Sequence, residues 1–274
     1  MAKGVYYTKH LDETLKSGVY ETQVPNLAFL YATPSTTRNP EYQIGDKVVL
    51  PDGREFRYAK SLGNNALFAA HGVQFTYTGL IAYTAFATNH AQGSTEITVP
   101  AVAHTGQDAD ALRGGYVIIF DGATDLNTCV RGIVGNDAST TGVAFNIQLD
   151  APIHNAIVSG TEACEVYQNA WAGLDVASSS ALPMAGVPTT TVSAAANYFW
   201  VQTKGICWVA PADSNVGSNG GMLTMWRHSG IIEGAETGLG ITSVPATNSS
   251  QIAGYCMQGS QAGNGPLLML ADHG

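Results

Sequence analysis

The chain has 274 residues, 45% of them hydrophobic and only 12% charged, about half the ~25% usual in soluble domains. Its formal net charge of −9 excludes a body that binds nucleic acid, because phosphate contacts need clustered Lys and Arg. No run of eighteen apolar residues exists, which excludes a membrane-spanning helix, and residues 1–20 lack the apolar stretch of a secretory signal, so none is expected.

Charge is unevenly placed along the chain. Eight of the twelve Lys and Arg fall in residues 1–60 beside seven acids, for a net of +1, whereas residues 61–274 carry four basic and fourteen acidic residues, for a net of −10. Ala, Gly, Thr, Ser and Asn stand where charges usually would. Such a surface suits a protein packed against neighbours, since neutral polar groups lose less on desolvation than charges do. The length exceeds the roughly 100–150 residues of a typical domain, so an arm and two compact units are expected.

Residues 1–40 read as an extended arm. Short apolar groups such as Val5-Tyr6-Tyr7 and residues 27–31 alternate with polar ones, and Pro25, Pro34 and Pro40 discourage a long helix, leaving one or two helical turns over 11–17. Residues 42–50 and 54–58 are strand candidates around a Pro51-Asp52-Gly53 turn, where Asp-Gly supplies the positive φ of a tight hairpin. On the second strand Phe56 and Tyr58 alternate with Glu55 and Arg57, which predicts one apolar and one charged face. A short helix is expected around 65–71.

Strand signals then recur at 96–99, 116–120, 128–134, 143–149 and 163–168. Short strands at this spacing imply a small barrel or sandwich. Residues 173–190, with Ser178 to Ser180, Pro183, Gly186 and Pro188, read as a linker. A second β unit follows, with strands at 198–202, 206–209, 222–226, 252–258 and 267–270. The fold class is therefore all-β. Its parts are an arm and hairpin (1–60), a middle β domain (61–172), a linker (173–190) and a C-terminal β domain (191–274), the two domains being barrel- or sandwich-like.

Catalytic signatures are missing: there is no G-x-S-x-G, H-E-x-x-H, Walker A or G-x-G-x-x-G motif. The four cysteines lie far apart in apolar stretches and read as buried free thiols. The seven histidines are scattered singly. Glu162 and Glu165 fall on opposite faces of a strand, so they make no acid/base pair. Trp200, Trp208 and Trp226 sit on apolar strands and read as core residues rather than a sugar-stacking platform. No enzyme activity, cofactor or metal is expected.

Three blocks, in order, carry a family resemblance. The first is residues 45–60 (GDKVVLPDGREFRYAK). The second runs from 96–99 (EITV) through 114–122 (GGYVIIFDG) to 147–153 (IQLDAPI). The third is 197–205 (NYFWVQTKG), followed late in the chain by 252–255 (IAGY). Together they resemble a group of tailed-bacteriophage virion proteins, similar to head decoration (cement) proteins. The resemblance implies a non-enzymatic protein on the outer surface of the capsid that clamps adjacent capsomers. Its implied partners are the phage major capsid protein and further copies of itself, as a homotrimer, with neither nucleic acid nor membrane among them. On that reading Tyr6, Tyr7, Phe29, Tyr31, Arg54, Arg57 and Lys60 are the candidate capsid-docking residues. A head-fibre or tail-associated module that binds host glycans stays open beside it. A glycan-degrading enzyme is the weakest alternative, for want of a carboxylate pair.

Overall fold

A computed structural model describes residues 27–76, 79–102, 104–122, 128–178, 182–212, 216, 223–227, 229–234, 248–258 and 267–272. Among these residues the chain is built from strands, with short 3-10 turns at Leu27–Tyr31 and Ala170–Ala172 and no α-helix. The strands are β1 (Lys47–Val49), β2 (Glu55–Lys60), β3 (Val73–Phe75), β4 (Gly79–Ala85), β5 (Glu96–Val99), β6 (Tyr116–Phe120), β7 (Cys129–Asn136) and β8 (Phe145–Leu149). They continue with β9 (Ala163–Tyr167), β10 (Leu174–Val176), β11 (Met184–Pro188), β12 (Tyr198–Trp208), β13 (Leu223–Arg227), β14 (Ile232–Gly234), β15 (Asn248–Gln258) and β16 (Leu267–Leu270). The all-β expectation holds, with two curled sheets in two compact units.

One unit comprises residues 77–170. Its six strands pair antiparallel in the order β4-β9-β6-β7-β8-β5. The period-2 pattern of the sequence is what the sheet uses. Val117 and Ile119 of β6, Phe145, Ile147 and Leu149 of β8, and Ile97 and Val99 of β5 point to one core, which Phe86, Leu112, Ile133 and Val166 complete.

The other unit comprises residues 1–76 and 171–274. Its sheet runs β10-β3-β11-β12-β16-β15-β13-β14, and the β1–β2 hairpin joins through a β2–β12 pairing. The long strand β12 is its organiser. Tyr198 to Lys204 pair with β2, and Gly205 to Trp208 pair with β16. Gly205 sits where the partner changes, with φ +88 and the Arg54 Cα 2.8 Å from the place a Cβ would take, so only glycine fits there without strain.

Five expectations are corrected. The expected linker holds β10 and β11, and every residue of β11 is buried: Met184 and Val187 join one core, and Ala185 another. Residues 65–71 form turns around an isolated Leu67–Val192 bridge instead of a helix, because the Leu67 backbone is taken by Val192 on both its N–H and its C=O. The two strands expected at 198–202 and 206–209 are one strand. The domain boundaries also fall elsewhere than expected, because residues 27–76 share cores with the C-terminal part of the chain. The described part of the arm packs rather than extends: Leu30 is fully buried, and Ser35 bridges Tyr198. The 11–17 segment lies outside the described residues.

Candidate interaction surface

The hairpin that the sequence singles out is built into the body. Its turn has Gly53 at φ +84, and the Asp52 carboxylate accepts from both the backbone N–H (3.1 Å) and the Nε (2.7 Å) of Arg54. Even-numbered side chains of β2, Phe56 and Tyr58, enter an aromatic core with Leu30, Tyr42 and Trp200. There the Trp200 ring meets Tyr42 at 5.1 Å, Tyr58 at 5.1 Å and Phe29 at 5.5 Å, with the edge-on and tilted geometries that ring quadrupoles favour.

The other face of β2, expected to be charged, is packed too. Ala59 joins a core with Leu67, Trp171 and Phe199. Glu55 pairs with Lys47 across the hairpin and lies 3.7 Å from Lys204, which also reaches Asp272 at 3.1 Å.

The seven candidate docking residues separate accordingly. Tyr6 and Tyr7 lie outside the described residues. Phe29 is half-buried and stacked on Tyr42 at 5.7 Å. Arg57 donates to the Gly45 carbonyl at 2.8 Å and lies over the Trp171 ring at 5.6 Å. Lys60 lies over the Tyr198 ring at 5.2 Å, and the Arg54 guanidinium donates to the Tyr31 hydroxyl at 3.3 Å. Strand parity puts Lys60 with Phe56 and Tyr58, but Arg57 on the opposite face, so the three cations do not converge. Of the described five, Tyr31 is the exposed side chain, at 48%.

Sequence reasoning missed a larger surface on the same unit. Trp200 and Trp226 are core residues as expected, but Trp208 is 45% exposed. It lies opposite Leu267 in the ladder; Met269 lies opposite both Ile206 and Tyr255; Tyr255 lies opposite Leu223; and Ile252 lies opposite Met225. Trp208, Ile252, Tyr255, Met257, Leu267 and Met269 are all exposed, while Cys207, Ala253, Cys256, Leu268 and Leu270 face the core. The sheet thus presents an apolar face outward. The only signal in the sequence was strands apolar at successive positions, such as Leu267 to Leu270, which reads equally as burial on both faces. Tyr83, Tyr116, Val130 and Val134 make a smaller exposed group in the 77–170 unit, where Tyr83 meets Phe120 at 5.1 Å.

Glu162 accepts from the Val158 N–H, and Glu165 from the Tyr167 hydroxyl at 2.6 Å. The cysteines are free thiols, and burial pushes Cys164 and Cys207 up to about 12, so neither ionises at neutral pH. Among the described residues no three His, Cys, Asp or Glu side chains are grouped to hold a metal ion. A scan against protein-family models finds no match for the chain, and a search of curated proteins finds none either.

Proposed function

We propose that the chain is a non-enzymatic structural protein of a tailed-phage virion, a decoration protein that binds the outer capsid surface and stabilises contacts between capsomers. The observation that carries this reading, as a protein that works packed against other subunits, is the outward apolar sheet face on a chain with so few charges. Soluble monomers rarely leave large contiguous apolar patches in water, and such faces mark contact with other proteins. The order of the three phage-like sequence blocks supports the same reading.

The mechanism is geometric. Each copy bridging two capsomers adds binding free energy that exists only in the assembled lattice, so rupture must break those contacts as well. Association of the copies with one another, as a trimer on this reading, makes every docking event after the first intramolecular and multiplies a modest contact. Tyr31, steadied by Arg54, is the hairpin-side residue placed for the capsid contact. Exposed Trp208 is the one observation favouring a glycan-binding module, although its ladder neighbours are apolar rather than hydrogen-bonding.

The test is to add purified protein to expanded capsids that lack it, then measure bound copies per particle and the temperature of capsid rupture. Saturation at a copy number matching the repeating sites of the shell, with a raised rupture temperature, is expected. Binding of only a few copies, or none, rejects decoration. Glycan binding abolished by Trp208→Ala would replace it with the host-recognition reading.

A further inference from the structure

We infer that the outward face of the β12–β16–β15–β13 sheet is the contact through which copies of this chain associate, so that the occupant of the face is a second copy. The assignment stands on this face and goes beyond the capsid contact proposed above.

Area is the first argument. Six side chains on the face are between 40% and 56% exposed. Taking roughly 200 Å² for each whole side chain, they present on the order of 500 Å² to water. Half-buried Ile206, Leu223 and Met225 lie between them in the ladder and extend the face. The total approaches the roughly 800 Å² that each partner contributes to a stable interface.

Charge supplies the second argument. Gly205 to Val209, Leu223 to Trp226, Gln251 to Gln258 and Leu267 to Ala271 contain no Asp, Glu, Lys or Arg, in a chain of net charge −9, and the charges that border them are paired with each other, Lys204 with Asp272 at 3.1 Å and Arg227 with Glu233 at 3.4 Å. A basic partner would select a face with unpaired carboxylates, and an anionic membrane one rimmed by unpaired Lys and Arg, whereas Lys204 and Arg227 at the borders each face a carboxylate. An uncharged face on an acidic protein matches another uncharged face, and two like-charged copies approach best where neither carries charge. A strand surface with Met225, Met257 and Met269 also adapts to a second sheet, because the unbranched thioether fills irregular gaps.

The experiment measures the molar mass of the full chain by sedimentation over a wide concentration range. Wild-type protein is expected at a multiple of 28.6 kDa. Trp208→Glu and Tyr255→Lys, made singly, each place an unpaired charge in the contact and are expected to weaken association by about tenfold or more. Far-UV spectra and thermal unfolding check that each variant folds, and two variants on different strands guard against one failing to. Tyr83→Lys, on the other unit, is expected to leave the mass unchanged.

A wild-type chain that is monomeric throughout overturns the inference, as does an oligomer that survives both substitutions. A monomer whose capsid binding is lost in Trp208→Glu also overturns it, assigning the face to the capsid protein while leaving decoration intact. An oligomer dissolved by the substitutions, in a protein that does not bind capsids, leaves the inference standing and removes the decoration reading.

Discussion

His90 shows how one side chain ties an edge strand to a protonation state. Its Nε2 accepts the Thr98 N–H of β5 at 3.2 Å, and its backbone bridges Ile157. Burial holds its pKa below the ordinary 6.5, against the opposing charge of Glu96. The folded state therefore binds the proton less readily than the unfolded chain. The stabilisation is complete above about pH 6.5 and is lost as pH falls towards the lower folded value. Wild-type protein is expected to lose thermal stability between about pH 7 and 5 more steeply than His90→Gln. Equal slopes for the two proteins in that range would remove His90 as the cause. The histidine itself was visible in the sequence as a lone residue. Its role was not, because the accepting geometry needs Thr98 brought back by the turn before β5.

At the scale of elements, β2 and β12 form the seam of the larger unit. Trp200 lies directly opposite Tyr58 in this pairing, and Gln202 opposite Phe56. Phe56 is completely buried in the aromatic core. Phe56→Ala is expected to cost about 3–5 kcal/mol, read as a lowered denaturant midpoint with an unchanged slope. A loss under about 1 kcal/mol would mean that the hairpin is dispensable to the body.

The hairpin was legible because its turn chemistry and alternation are local. The destinations of its cations were not, since Trp171 and Tyr198 lie more than a hundred residues further along the chain. β11 was illegible for a related reason. Pro188 and Gly186 read as loop residues, but Pro188 occupies the last strand position, and Gly186, at φ +140, sits at a bulge against β3. In the 77–170 unit every strand expected from alternation is present within two residues, because one-sided burial writes itself into the sequence. The exposed face of β16 could not be read that way, since an apolar residue facing water and one facing a core look the same.

For the whole molecule, the decisive fact is that one unit is inserted into the chain of the other. The larger unit closes across the insertion by itself: the Thr76 N–H donates to the Gly173 carbonyl at 3.1 Å, and the Phe75 ring meets Trp171 at 4.9 Å. The inserted unit also brings its own ends together, pairing Gly79 with Tyr167. A fragment of residues 77–170 is therefore expected to unfold cooperatively on its own, with the sigmoidal denaturant curve of a folded domain. A featureless, gradual curve would show that its core is insufficient alone. The sequence concealed this arrangement because β3 and β10, which join the two flanks, are only three residues each.

The short span between Thr76 and Gly173 bears on the order in which the protein acquires its structure. Before the inserted unit folds, pairing β3 with β10 requires closing a loop of roughly a hundred residues; once that unit has folded, the loop shrinks to a handful, lowering the entropic barrier by on the order of 2 kcal/mol. The insertion is thus a timer for the rest of the chain. A destabilising change in the 77–170 core, although confined to the inserted unit, would delay the pairing of β3 with β10 and the burial of Trp171 in the other unit.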